Sequence, residues 1–132
     1  MSVGGRWWVV GGGCCVVLFA ATFAPHVRAA DVEKGKAAFE QCAACHSIDG
    51  TGELDGPSLK GVIGRKAGSL EDYRYSAAMK RSGVTWDTPA LDKYIADPQA
   101  FIPGNRMAFA GMSDKSQRED LLAYLTVATK TN

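Results

Sequence analysis

The chain is poor in histidine: of its 132 residues, only His26 and His46 carry an imidazole. It has no acidic residue before Asp31. No internal repeat, low-complexity tract or block of like charge runs through it, which excludes a repeat array. Beyond Ala30 there is no alternating run of four or more β-branched residues, so nothing calls for a sheet and the fold class is all-α. The charges nearly balance, fifteen bases against fourteen acids, which argues against nucleic acid or an anionic lipid surface as a main partner, since either calls for a basic face. The length leaves room for one domain, and an apolar content of 46% is enough for one modest core.

The N-terminal stretch differs from the rest. Arg6 is followed by an apolar run from Trp7 to Phe23, interrupted only by small residues, and then by Pro25-His26-Val27-Arg28-Ala29-Ala30. This is the grammar of a secretory leader. Val27 and Ala29 suit the positions before a leader-peptidase cut, which divides the chain into a leader, 1–29, and a domain, 30–132. A cut one residue later is the alternative, with Arg28 three residues before it. Retention as an anchor is the other reading, since Trp7 to Phe23 is 17 residues, at the lower limit for a bilayer span. Cys14 follows Gly11-Gly12-Gly13, a poor lipidation context. Leader removal takes away Arg6 and Arg28, leaving thirteen bases against fourteen acids. It also takes Cys14, Cys15 and His26. The exported domain, placed in the periplasm, keeps Cys42, Cys45 and a single histidine, His46.

Those three residues form one motif, Cys42-Ala43-Ala44-Cys45-His46. Two thiols three apart reach about one helical turn and can add to the two vinyl groups of a porphyrin, with the adjacent imidazole under the iron. A thioredoxin-like redox pair needs strands around the motif, and none precede it. A structural zinc site needs a fourth ligand, which only an acid could give. The motif therefore implies one covalently attached haem c. With one histidine, a second imidazole ligand within the exported chain is excluded, leaving Met79, Met107, Met112, a lysine or an open sixth position. Ile102-Pro103-Gly104-Asn105-Arg106-Met107 favours Met107, because proline and glycine fix an irregular extended loop that can bring a thioether to iron. His46 and Met107 are the candidate metal ligands. Methionine opposite histidine favours ferrous iron and leaves no site for substrate, which suits electron transfer rather than catalysis.

Helices are expected at 31–41, leading into Cys42, and briefly at 76–81. A third starts behind a Thr88 cap with Pro89 at its first position and ends at Asp97-Pro98; a last one starts behind a Ser113 cap and carries Leu121, Leu122, Tyr124, Leu125 and Ala128. Met79 and Met112 read as packing residues.

From Asp31 to Lys130 the chain resembles the class I c-type cytochromes, in particular small soluble bacterial ones related to mitochondrial cytochrome c. The resemblance rests on Gly35 with Phe39, the CAACH motif, Gly56-Pro57-Ser58-Leu59, Gly64-Arg65, Tyr75, Val84-Thr85-Trp86, Tyr94, Ile102 to Met107, and Arg118 to Leu125. It implies a single-domain cytochrome c fold whose first and last helices cross, Gly35 and Phe39 packing on Leu121 and Tyr124. It also implies that the Pro57 carbonyl takes the free N–H of His46, that Arg65, Tyr75 and Trp86 bond a haem propionate, and that Tyr94 sits near the Met107 sulfur. The implied partners are redox complexes: quinol:cytochrome c oxidoreductase, a terminal oxidase or a photosynthetic reaction centre. A monomer is implied, with no nucleic acid and no small-molecule substrate. The other functional reading is a haem enzyme or a gas or peroxide sensor with a labile sixth ligand. Gln99, Ser113 and Asp114 stand where related proteins carry lysines round the haem edge, and Met79 replaces a commonly polar residue.

Overall fold

The computed structural model describes residues 28–50 and 55–131. The expected leader lies outside the described residues except for Arg28 and Ala29. Five helices follow in order: α1 (Val32–Ala43), α2 (Ala77–Arg81), α3 (Thr88–Ala96), α4 (Pro98–Phe101) and α5 (Lys115–Ala128). Among the described residues there is no strand, only one isolated antiparallel bridge between Lys66 and Thr85. No described helix is long and apolar enough to cross a membrane.

Each helix starts where a short polar side chain can take an otherwise unpaired N–H. Asp31 accepts from the N–H groups of Glu33 and Lys34 ahead of α1, and Ser76 accepts from Met79 ahead of α2. Two caps fall one residue away from the sequence expectation. Asp87, not Thr88, caps α3 by accepting from Ala90 at 2.8 Å. Asp114, not Ser113, caps α5 by accepting from Ser116 and Gln117. In both places a carboxylate, with more acceptor capacity than a hydroxyl, sits next to the expected cap. Asp97-Pro98 ends α3 as expected and also starts α4, because Asp97 accepts from Ala100 and proline needs no N–H at a first helical position.

The core lies between α1, α3 and α5. Ala38 and Phe39 of α1 meet Leu121, Leu122 and Leu125 of α5, with Leu91, Tyr94 and Ile95 of α3 completing the layer. Each fully buried leucine contributes about 1.5–3 kcal/mol by leaving water. The α1–α5 crossing depends on Gly35: a Cβ there would lie 2.0 Å from the Asp120 carbonyl oxygen and 2.8 Å from Tyr124 Cβ. The Phe39 and Tyr124 rings meet at a tilt, their centroids 5.6 Å apart. Arg118, itself buried, fastens the start of α5 to α3 and to the preceding loop. It donates to Asp92 Oδ1 at 2.7 Å and to the carbonyls of Met112 and Ser113 at 2.8 and 3.0 Å. Together these contacts leave a cleft between the helix layer and the loops at 55–75 and 102–112.

Candidate functional site: the haem cleft

The cleft begins at the C-terminal end of α1. Cys42 lies in its last turn, and the chain curls on beyond the helix, with the N–H groups of Cys45 and His46 both donating to the Cys42 carbonyl at 3.0 and 2.9 Å. A turn of this pitch puts residues three and four apart on one side. Cys42, Cys45 and His46 therefore all line the same cleft. Cys42 is half-buried, Cys45 is exposed, and neither is used in a disulfide. Burial pushes the Cys42 thiol up, with Cys45 adding to the shift.

His46 is held from behind. Its Nδ1 lies 2.7 Å from the Pro57 carbonyl oxygen, so Nδ1 carries the proton and Nε2 is the nitrogen with a free lone pair. Burial pushes the His46 pKa down against the opposing effect of that carbonyl, and Arg65 lowers it further, so the ring is neutral as a metal ligand must be. The contact needs glycine next to the proline. A Cβ on Gly56 would stand 2.5 Å from His46 Cε1 and 2.8 Å from the Cys45 carbonyl oxygen.

The 102–107 loop contributes Met107, half-buried, to the lining of the same cleft. Asn105, which the sequence reading did not single out, organises this loop. It is buried, and its side-chain amide is saturated. Nδ2 donates to the Pro98 and Ile102 carbonyls at 2.7 and 2.9 Å. Oδ1 accepts from the Met107 N–H at 2.8 Å and from the Tyr94 hydroxyl at 3.2 Å. The signal that would have found it is the Pro-Gly-Asn sequence: a turn this tight needs an amide able both to donate and to accept. Met79 and Met112 are buried as expected; of the two, only Met79 lines the cleft.

The remaining predicted residues are also brought together. The main chain at 64–67 runs beside 84–86, with the Trp86 N–H donating to the Arg65 carbonyl at 2.9 Å and the Ala67 N–H to Val84 at 2.8 Å. This pairing puts Arg65 and Trp86 on one wall of the cleft with Tyr75. The Arg65 guanidinium already donates to the carbonyls of Ser58 at 2.7 Å and Lys60 at 2.8 Å. Two of its five N–H groups are thus engaged with described residues. Burial lowers the Arg65 pKa and raises that of Tyr75. The Trp86 and Tyr94 rings meet tilted, their centroids 4.9 Å apart. Burial holds the Tyr94 hydroxyl up to about 12, a neutral donor.

The cleft holds a cavity of about 210 Å³ that opens to solvent. Its lining is largely aliphatic and aromatic, with Phe39, Val62, Leu91, Ile95, Leu121 and Leu125, and the two thiols, the imidazole and the Met107 thioether line the same cleft. An apolar slot with two thiols, a neutral imidazole and a soft sulfur fits an iron porphyrin and suits no other common cofactor so well. Among the described residues no group of three or more His, Cys, Asp or Glu could hold a bare metal ion.

The fold and the cleft define a small helical haem protein with its cofactor fixed by two thioethers. The family model for cytochrome c matches residues 32–128. The chain is 45% identical over 97 residues to cytochrome c2 of Rhodoplanes tepidamans, covering 73% of this chain and 91% of that protein. It is 49% identical over 88 residues to cytochrome c2 iso-2 of Magnetospirillum fulvum, covering 67% and 92%, and 46% identical over 97 residues to cytochrome c-550 of Nitrobacter winogradskyi, covering 73% and 89%. Among solved structures, cytochrome cH from Methylobacterium extorquens superposes with a TM-score of 0.68 at 44% identity, over 73% of this chain and 97% of that one. The chain belongs to the cytochrome c family: it carries haem c through Cys42 and Cys45 and is an electron carrier, not an enzyme.

Proposed function

We propose that the chain is a periplasmic one-electron shuttle in which His46 and Met107 would hold the haem iron. The observation that carries this reading is that one cleft is lined by both side chains, each on a fixed support: the Pro57 carbonyl holds the His46 ring, and the Asn105 side-chain oxygen holds the main-chain N–H of Met107. When bound, haem supplies a ferric/ferrous couple. The residues around it do the rest. Pro57 fixes the imidazole and strengthens its donation. The thioether of Met107 would supply a soft, neutral ligand that favours the reduced state. Phe39, Leu91, Leu121 and Leu125 keep water from the inner face, so little solvent reorganises when one electron enters or leaves. Arg65, Tyr75 and Trp86 offer donors to a propionate, and Tyr94 stands on the methionine side.

Residues 1–29 serve as the export leader in this reading, and the monomeric domain from residue 30 exchanges electrons with quinol:cytochrome c oxidoreductase on one side and a terminal oxidase or photosynthetic reaction centre on the other. The test is a redox titration of the purified exported protein, followed by spectra of Met107→Ala. The wild-type ferric protein should show the weak red absorption band of sulfur ligation and bind carbon monoxide poorly when reduced; the variant should lose the band while keeping its haem. Persistence of the band in the variant would remove Met107 from the iron, and ready carbon monoxide binding by the wild type would favour a labile-ligand sensor.

A further inference from the structure

The α1–α5 crossing contains a carboxylate that electron transfer does not use. Asp120 lies on α5 where Gly35 closes against its main chain, and its side chain is only 5% exposed. Both oxygens are taken by the segment ahead of α1. Oδ1 accepts from the Asp31 main-chain N–H at 2.7 Å and from Arg28 Nη1 at 2.9 Å, and Oδ2 accepts from Arg28 Nη2 at 2.6 Å. Among the described residues, Arg28 is the one cation within ion-pair distance of Asp120. The other charges near it are committed elsewhere: Lys34 pairs with Asp31, and Glu119 with Lys115. Arg28 itself supplies part of the cover, so its loss leaves Asp120 with the Asp31 N–H but without a cation in contact, a place that a new positive charge can take.

Arg28 nevertheless falls within the leader as the sequence reads. Hydrolysis of the Ala29–Ala30 bond removes it and creates a cation in the same act: water adds across the peptide bond, Ala29 leaves with a carboxylate, and the Ala30 amine takes up a proton. That nitrogen is one residue from the Asp31 N–H already on Oδ1, no more than about 3.8 Å along the chain. The alternative cut, after Ala30, turns the Asp31 nitrogen itself into the ammonium.

We propose that Asp120 is the receptor for the N-terminal cation of this chain, Arg28 in the precursor and the new α-ammonium in the processed protein, so that leader removal exchanges the ion pair at the α1–α5 crossing without breaking it. The proposal rests on residues 1–29 being a cleaved leader. It makes the processed N-terminus part of the helix-crossing contact, held against α5 and poorly reactive.

The test uses the exported holoprotein. Intact mass identifies its first residue, and its α-amine is then acetylated with limiting reagent at fixed pH and followed by peptide mass. The comparators are Asp120→Asn and, because that variant can fail to fold, a second form with two glycines inserted directly before whichever residue the mass shows to be first, its own N-terminus checked the same way, which carries the ammonium off the carboxylate. The expected results are a first residue of Ala30 or Asp31, and an α-amine at least about tenfold slower than in either comparator, the effect of one pKa unit or more, with lysine rates unchanged. Equal α-amine rates in wild type and the glycine-extended form would overturn the proposal. A first residue upstream of Arg28 would overturn it too, by leaving the arginine in place, while an unaltered methionine-ligation spectrum in the same sample would leave the electron-carrier reading intact.

Discussion

Asn105→Ala probes the support of the sixth-ligand loop most directly, because the lost hydrogen bonds can be followed one by one. The Pro98 and Ile102 carbonyls each keep a second partner after truncation, the N–H groups of Ile102 at 3.0 Å and of residue 105 at 3.1 Å. Neither is orphaned. The Met107 N–H and the Tyr94 hydroxyl, in contrast, both lose the Oδ1 acceptor. An unmet buried donor costs about 1–3 kcal/mol, and Met107 is only half-buried, so the two together give a loss of about 2–4 kcal/mol in unfolding free energy. The Met107 share falls on the loop alone, and about 1.4 kcal/mol there makes opening of the sixth position tenfold easier. Denaturant unfolding of the holoprotein measures the first quantity. Imidazole titration of the ferric protein measures the second, since an added ligand binds only when the thioether leaves. Unfolding energies within about 0.5 kcal/mol of wild type, the ordinary scatter of surface substitutions, together with unchanged imidazole affinity, would refute the reasoning.

Three further outcomes follow from the same geometry. Gly56→Ala should push the His46 ring off its Pro57 contact, since the new Cβ meets Cε1 at 2.5 Å; a stability loss of about 1–3 kcal/mol and a changed ferric spectrum are expected, the spectrum being the decisive readout. Arg118→Met should lower unfolding free energy by about 3 kcal/mol, because it leaves Asp92 and the Met112 and Ser113 carbonyls without their shared donor, and adding Asp92→Asn should cost little more, which a double-mutant cycle checks. Tyr94 gives an alkaline signature. Its folded pKa of about 12 lies above an unfolded value of about 10, so the folded state holds the proton more tightly; the stability this supplies is complete below pH about 10 and is lost as pH rises through about 12. Tyr94→Phe should flatten that part of the pH profile of unfolding, and an unaltered profile would assign the alkaline loss to another group.

Much of the site was legible because its chemistry is local. The CAACH spacing puts two thiols and an imidazole on one side of a turn whatever surrounds them, and the structure keeps that turn with both N–H groups on the Cys42 carbonyl. The helices were legible for a similar reason, since Asp31 and Ser76 stand next to apolar stripes of helical period. The caps of α3 and α5 slipped by one residue because two adjacent polar side chains competed for each, and only geometry chose the carboxylate. The α4 turn was missed because Asp97-Pro98 reads as a stop, and a stop one residue before a proline is also a start.

The sequence alone determined what is attached and where, because covalent attachment through Cys42 and Cys45 depends on residues within a single turn. It also indicated Met107 through the stiffness of Pro103 and Gly104. Only the tertiary structure decided how these parts are held: the saturated Asn105 amide that ties Met107 to Tyr94, eleven positions from Asn105, and the Asp120 carboxylate that meets Arg28 from 92 positions away. Such partners satisfy buried polar groups, and that requirement arises only when packing has removed water from them.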